Sequence, residues 1–97
     1  MIDDFTKINL DSFVIEDMLN SVEYNTLLNL ACHYETINKN IELLKTYGFC
    51  DINTLFKNRS NIFIEDPESI KKKMDYLNIP TFVSLVNEDY TVIDEVF

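Results

Sequence analysis

Glycine occurs once in this chain, proline twice, histidine once and tryptophan not at all. One glycine rules out a Gly-rich loop that cradles phosphate, because Gly48 stands alone. So few breakers also argue against long structureless loops. A single histidine, His33, excludes a two-histidine metal site. Neighbouring Cys32-His33-Tyr34-Glu35 contains ligand types, but adjacent helical residues point in different directions. The same geometry opposes Cys32-His33 as a nucleophile and base. EF-hand spacing is missing too. The two cysteines, Cys32 and Cys50, lack CxxC spacing and are expected to be reduced, packed thiols. Enzymatic chemistry, cofactors and metals are therefore not expected. The start Met1-Ile2-Asp3-Asp4 carries no basic, apolar leader, and no apolar run nears the ~20 residues that span a bilayer. A cytoplasmic protein with no membrane partner is expected.

What is present is a chain of 97 residues, 46% apolar and 26% charged, with net charge −9 and a sequence pI near 4.3. One domain, 1–97, with a modest core fits that length. The charge repels phosphate backbones at long range and favours basic partners. Asn and Ile occur 11 times each against one Ala, a usage that fits the AT-rich codons of low-GC bacteria and their phages.

Helical spacing runs through most of the chain. Asp11 or Ser12 can cap a first helix over about 13–20, with Val14, Met18 and Val22 on its apolar side. A second helix is expected over about 22–34, carrying Tyr24, Leu27, Leu28, Ala31 and Tyr34. Thr36 or Asn38 can cap a third that ends at Tyr47, where Gly48 offers a left-handed stop and Phe49 folds back. Asp51 or Asn53 starts a short helix through Lys57, and residues 58–64 form a connector that buries Ile62 and Phe63. Asp66 then caps, and Pro67 opens, a helix with the stripe Ile70, Met74, Leu77. From Pro80 a final helical region carries Phe82, Leu85, Val86, Tyr90, Ile93 and Phe97. A break near Glu88-Asp89, or a terminal strand at the β-branched Thr91-Val92-Ile93, remains open. The reading is all-α, a small array of about five or six short helices. Phe13, Phe56 and Phe97 are the aromatics to inspect for exposure, since a surface cluster would mark a protein interface.

The unit from Ile41 to Leu77, with Leu44, Gly48-Phe49, Leu55, Ile62-Phe63, Ile70, Lys73 and Leu77, resembles one repeat of the mitochondrial transcription termination factor family. The resemblance covers 41–77 and implies helical units that stack into a solenoid with a basic, nucleic-acid-binding groove. This chain departs from the family in three ways. Ser60 stands where the connector usually has Pro, only one unit is clear although solenoids need about three, and the whole chain is acidic. The resemblance therefore bears on architecture more than on activity.

Charge is unevenly distributed. Residues 1–35 carry seven acids and one base, 36–73 five acids and seven bases, and 74–97 five acids and no base. Two alternative binding surfaces are expected. An acidic face drawn from Glu88, Asp89, Asp94 and Glu95, with Asp11, Glu16 and Asp17, would occupy a basic groove built for phosphates. That makes the leading expectation a non-enzymatic inhibitor or adaptor, a nucleic-acid mimic, bound to a basic protein. The alternative is a nucleic-acid module using Lys57, Arg59, Lys71, Lys72 and Lys73. Each surface also has a plainer reading, solubility for the acids and a solvated helix face for the lysines, with Glu68–Lys72 and Lys71–Asp75 as i,i+4 pairs.

Overall fold

The computed structural model describes residues 2–97. It is all-α, and among the described residues there is no strand. Six α-helices, α1 (Ser12–Ser21), α2 (Tyr24–Cys32), α3 (Tyr34–Tyr47), α4 (Ile52–Phe63), α5 (Pro67–Asp75) and α6 (Ile79–Glu88), lie between two 3-10 helices, Ile2–Lys7 and Tyr90–Glu95. The expected five or six helices thus undercounts the elements. The N-terminal 3-10 helix has too short a run for periodicity to show, and the open question at the C-terminus resolves as 3-10 helix.

α3 is the hub. It packs against α2, α4, α5, α6 and the N-terminal 3-10 helix. Ile37, Ile41 and Leu44, spaced at four and three, are wholly buried on it and belong to one core with Phe5, Phe56, Phe63, Ile70, Met74 and Ile93. Phe56 and Phe63 pack edge to face with centroids 5.1 Å apart. The Cα radius of gyration, 13.2 Å, matches the ~13 Å of a compact 100-residue domain.

Local chemistry accounts for the end of α3 and the starts of α4, α5 and α6, whereas α1, α2 and α3 start without a side-chain cap. Gly48 has φ +104°, and its N–H bonds the Lys45 carbonyl (3.0 Å) while the Phe49 N–H bonds that of Leu44 (3.3 Å). This pair of bonds closes α3 as a Schellman motif, with Phe49 buried behind it. The Asp51 carboxylate accepts from the Thr54 N–H (3.1 Å) and hydroxyl (2.7 Å). Asp66 accepts from the Glu68 N–H (2.9 Å) with Pro67 at the first helical position, and Asn78 accepts from the Thr81 N–H (3.3 Å).

Several expectations are corrected. Tyr34 belongs to α3, not α2; the break is the single residue His33 (φ −109°, ψ 18°), whose Nδ1–H donates to the Asn29 carbonyl at 2.8 Å. Thr36 and Asn38 are therefore interior, and neither caps. The connector 58–64 is largely helical: α4 continues to Phe63 through a kink at Arg59 (φ −140°, ψ 48°). Ile62 and Phe63 are buried within it. Cys32 and Cys50 are free but exposed rather than packed. Leu85 lies on the outer side of α6, 47% exposed. Of the aromatics to inspect, Phe13 is exposed, Phe56 fully buried and Phe97 half-buried, so the three form no surface cluster.

Asparagine side chains tie the elements together. Asn38, on α3, donates to the Lys7 carbonyl (3.0 Å) and accepts from the Asn9 N–H (2.7 Å), which fastens the N-terminal segment. Asn87 donates to the Gly48 carbonyl (3.2 Å) and accepts from the Cys50 N–H (3.1 Å), which joins α6 to the turn after α3. Asn40 is 0% exposed and donates to the carbonyls of Phe63 and Glu65, both at 2.7 Å.

Candidate functional site

A cleft of about 350 Å³ opens between the start of α4 and the end of α6. Asp51, Thr54 and Leu55 form one wall; Val86, Asn87, Glu88, Asp89 and Tyr90 form the other. Its carboxylates are Asp51, Glu88 and Asp89. Asp51 is occupied by Thr54. Asp89 accepts from the Thr91 hydroxyl (2.7 Å) and N–H (3.0 Å), and these bonds hold its carboxyl below the ordinary aspartate range. Glu88 is exposed and makes no ion pair among the described residues.

The expected acidic face is thus divided. Glu88 and Asp89 line the cleft, whereas Asp94 turns to Arg59. Both Asp94 oxygens accept from the guanidinium, Oδ1 from Nε at 2.7 Å and Oδ2 from Nη2 at 2.8 Å. That fork-to-fork pair depresses the Asp94 carboxyl and raises Arg59. Glu95 is exposed beside it. Just before α1, Asp11 accepts from the Asn53 amide (2.8 Å); on α1, Asp17 pairs with Lys57 (3.0 Å) and Glu16 is exposed. Asp51, Thr54 and Tyr90 are site residues that sequence reasoning missed. The Asp51-x-x-Thr54 spacing signals the cap, but only the fold brings it opposite Glu88.

The basic segment is largely neutralised from within. Lys57 pairs with Asp17, Arg59 with Asp94, Lys71 with Glu68 (3.2 Å) and Lys73 with Glu65 (2.7 Å). The expected i,i+4 pairs do not form; Lys71 takes Glu68 one turn back, which leaves Lys72 exposed without an ion pair among the described residues. Elsewhere Lys7 pairs with Asp4 (2.9 Å) and Lys45 with Glu42 (3.9 Å). Lys39 lines a second groove of about 550 Å³ between α3 and the start of α5, where Leu43 and Pro67 alternate with charges of both signs.

Among the described residues, no group of three or more His, Cys, Asp or Glu side chains converges to hold a metal ion, and no helix is long and apolar enough to cross a membrane. The chain matches no family model, and neither a curated protein nor a solved structure shows significant similarity to it.

Proposed function

We propose that this chain is a non-enzymatic binding protein that engages a basic protein partner through its acidic exterior, as an inhibitor or adaptor of the nucleic-acid-mimic type. One observation carries the reading: once internal ion pairs are subtracted, the charge left on the surface is nearly all negative. Glu16, Glu23, Glu35, Asp75, Glu88 and Glu95 are exposed and make no ion pair, whereas the bases in that condition, among the described residues, are Lys39 and Lys72. Carboxylates held on rigid helices present fixed negative charge, which steers a basic partner and discriminates against acidic ones. Glu88 and Glu95 are the residues to test, because neither caps a helix nor holds an internal base.

Affinity capture from the source cell, at low and high salt, checks this. A basic protein retained at low salt, released at high salt and lost with Glu88→Lys/Glu95→Lys supports the reading. Retention that the double reversal leaves unchanged removes it.

The second reading is a nucleic-acid module resembling a termination-factor repeat, with Lys57, Arg59, Lys71, Lys72 and Lys73 on phosphates. The order of α3, the Gly48 stop, kinked α4 and Pro67-started α5 supports it. Internal pairing of all those bases except Lys72 weighs against it in the state described. It requires duplex DNA or RNA binding at low salt that weakens steeply as salt rises.

A further inference from the structure

The C-terminal segment touches the basic middle of the chain at its cations. Asp94 grips Arg59 with two hydrogen bonds, the Tyr90 ring lies 5.4 Å from the same guanidinium, and the Phe97 ring lies 4.9 Å from the Lys73 ammonium. The remaining Arg59 donor, Nη1, is spent on the Asn58 carbonyl (2.7 Å) at the kink of α4. Each guanidinium nitrogen thus makes a hydrogen bond, and a fork geometry that suits phosphate is filled by a carboxylate of the chain itself.

That segment is also a short element at the end of the described residues, with Tyr90, Val92, Val96 and Phe97 half-buried against the core. It is a six-residue 3-10 helix, longer than such helices usually run because their hydrogen bonds are poorly aligned. Ile93 is its one fully buried side chain. It leaves α6 through Asp89, whose backbone is extended (φ −146°, ψ 105°). Short elements with poorly aligned hydrogen bonds and mostly half-buried side chains open before the core helices.

We propose that residues 89–97 are an autoinhibitory strap: Asp94 and Tyr90 occupy Arg59, Phe97 covers Lys73 beside its Glu65 partner, and the Arg59 guanidinium contacts nucleic-acid phosphates only when the strap is released. The strap rests on the nucleic-acid reading of the basic segment; amide exchange reads the strap itself, and duplex binding reads the phosphate contact.

Three full-length variants test it, with amide hydrogen exchange and low-salt binding of a fluorescein-labelled DNA duplex as readouts. Asp94→Asn removes the clasp and leaves Ile93 in place. Exchange at 92–97 should quicken about fivefold, the scale of losing one exposed ion pair, while α3 and α5 are unchanged, and duplex binding should tighten by about threefold or more over the wild type. Glu95→Gln makes the same charge change without touching Arg59 and should do neither. Arg59→Gln should free the strap equally but gain no duplex binding, because it lacks the group that is unmasked. Equal duplex binding by Asp94→Asn and Glu95→Gln would overturn the proposal, since net charge alone would then explain it. Unchanged exchange in Asp94→Asn, or faster exchange with no gain in binding, would overturn it as well.

Discussion

At the scale of single residues, Asn40 carries more of the fold than its polarity suggests. Its amide N–H groups hold the carbonyls of Phe63 and Glu65, where α4 hands over to α5, from a position with no solvent exposure. Its Oδ1 is buried without a hydrogen-bond partner, a cost the site bears to keep the two donors. Asn40→Ala should destabilise the chain by about 2–4 kcal/mol in urea unfolding, because it strands two acceptors and leaves a small void. Asn40→Asp should cost more at neutral pH, since a carboxylate cannot donate and its charge would be buried. Arg59 and Asp94 make a different prediction. Asp94 is depressed by its partner, so it contributes stability that is complete above the unfolded aspartate value of about 3.9 and is lost as pH falls through the lower folded value. A carboxyl NMR titration should find the Asp94 midpoint below that value in the wild type and back near it in Arg59→Gln. Identical midpoints would show that the fork does not persist in solution.

At the scale of elements, the boundaries written in local chemistry were legible. Gly48 marks the end of α3 and Asp66-Pro67 the start of α5, because each solves a problem within one turn of itself: a left-handed backbone, or orphan N–H groups. Gly48→Ala should cost about 1–2 kcal/mol in thermal or urea unfolding, the penalty of placing a Cβ in the left-handed region. The new methyl would meet Val83 Cγ1 at 3.6 Å, an ordinary contact, so the cost belongs to the backbone rather than to a clash. The break between α2 and α3 and the place of Asn38 were not legible. His33 breaks the helix with neither Gly nor Pro, and its ring covers a carbonyl of the turn before it, so apolar spacing reads straight across. Asn38 looks like a cap in sequence, yet it sits inside α3 because its partners, Lys7 and Asn9, lie about thirty positions away. Of the 11 asparagines, Asn38, Asn40, Asn53 and Asn87 join segments far apart in sequence, alongside the ion pairs.

At the scale of the whole molecule, the charge pattern keeps its sign but changes its meaning. The sequence shows a basic middle between acidic ends; the fold lays the ends on the middle. Asp17 reaches Lys57 and Asp94 reaches Arg59, across 40 and 35 positions. No spacing rule foretells such pairs, which is why Asp94 read as free surface and the four C-terminal acids as one cluster. Exposed pairs of this kind contribute little to stability, so their main consequence is to cancel the cations and leave an acidic exterior. The measurement that tests that consequence most directly is the affinity of the purified chain for its captured partner across a salt series, for the wild type and for Glu88→Lys/Glu95→Lys. A partner that binds through the acidic surface should lose affinity steadily as salt rises, and the double reversal should weaken binding by about tenfold or more at low salt. An affinity indifferent to salt and to both substitutions would contradict the account.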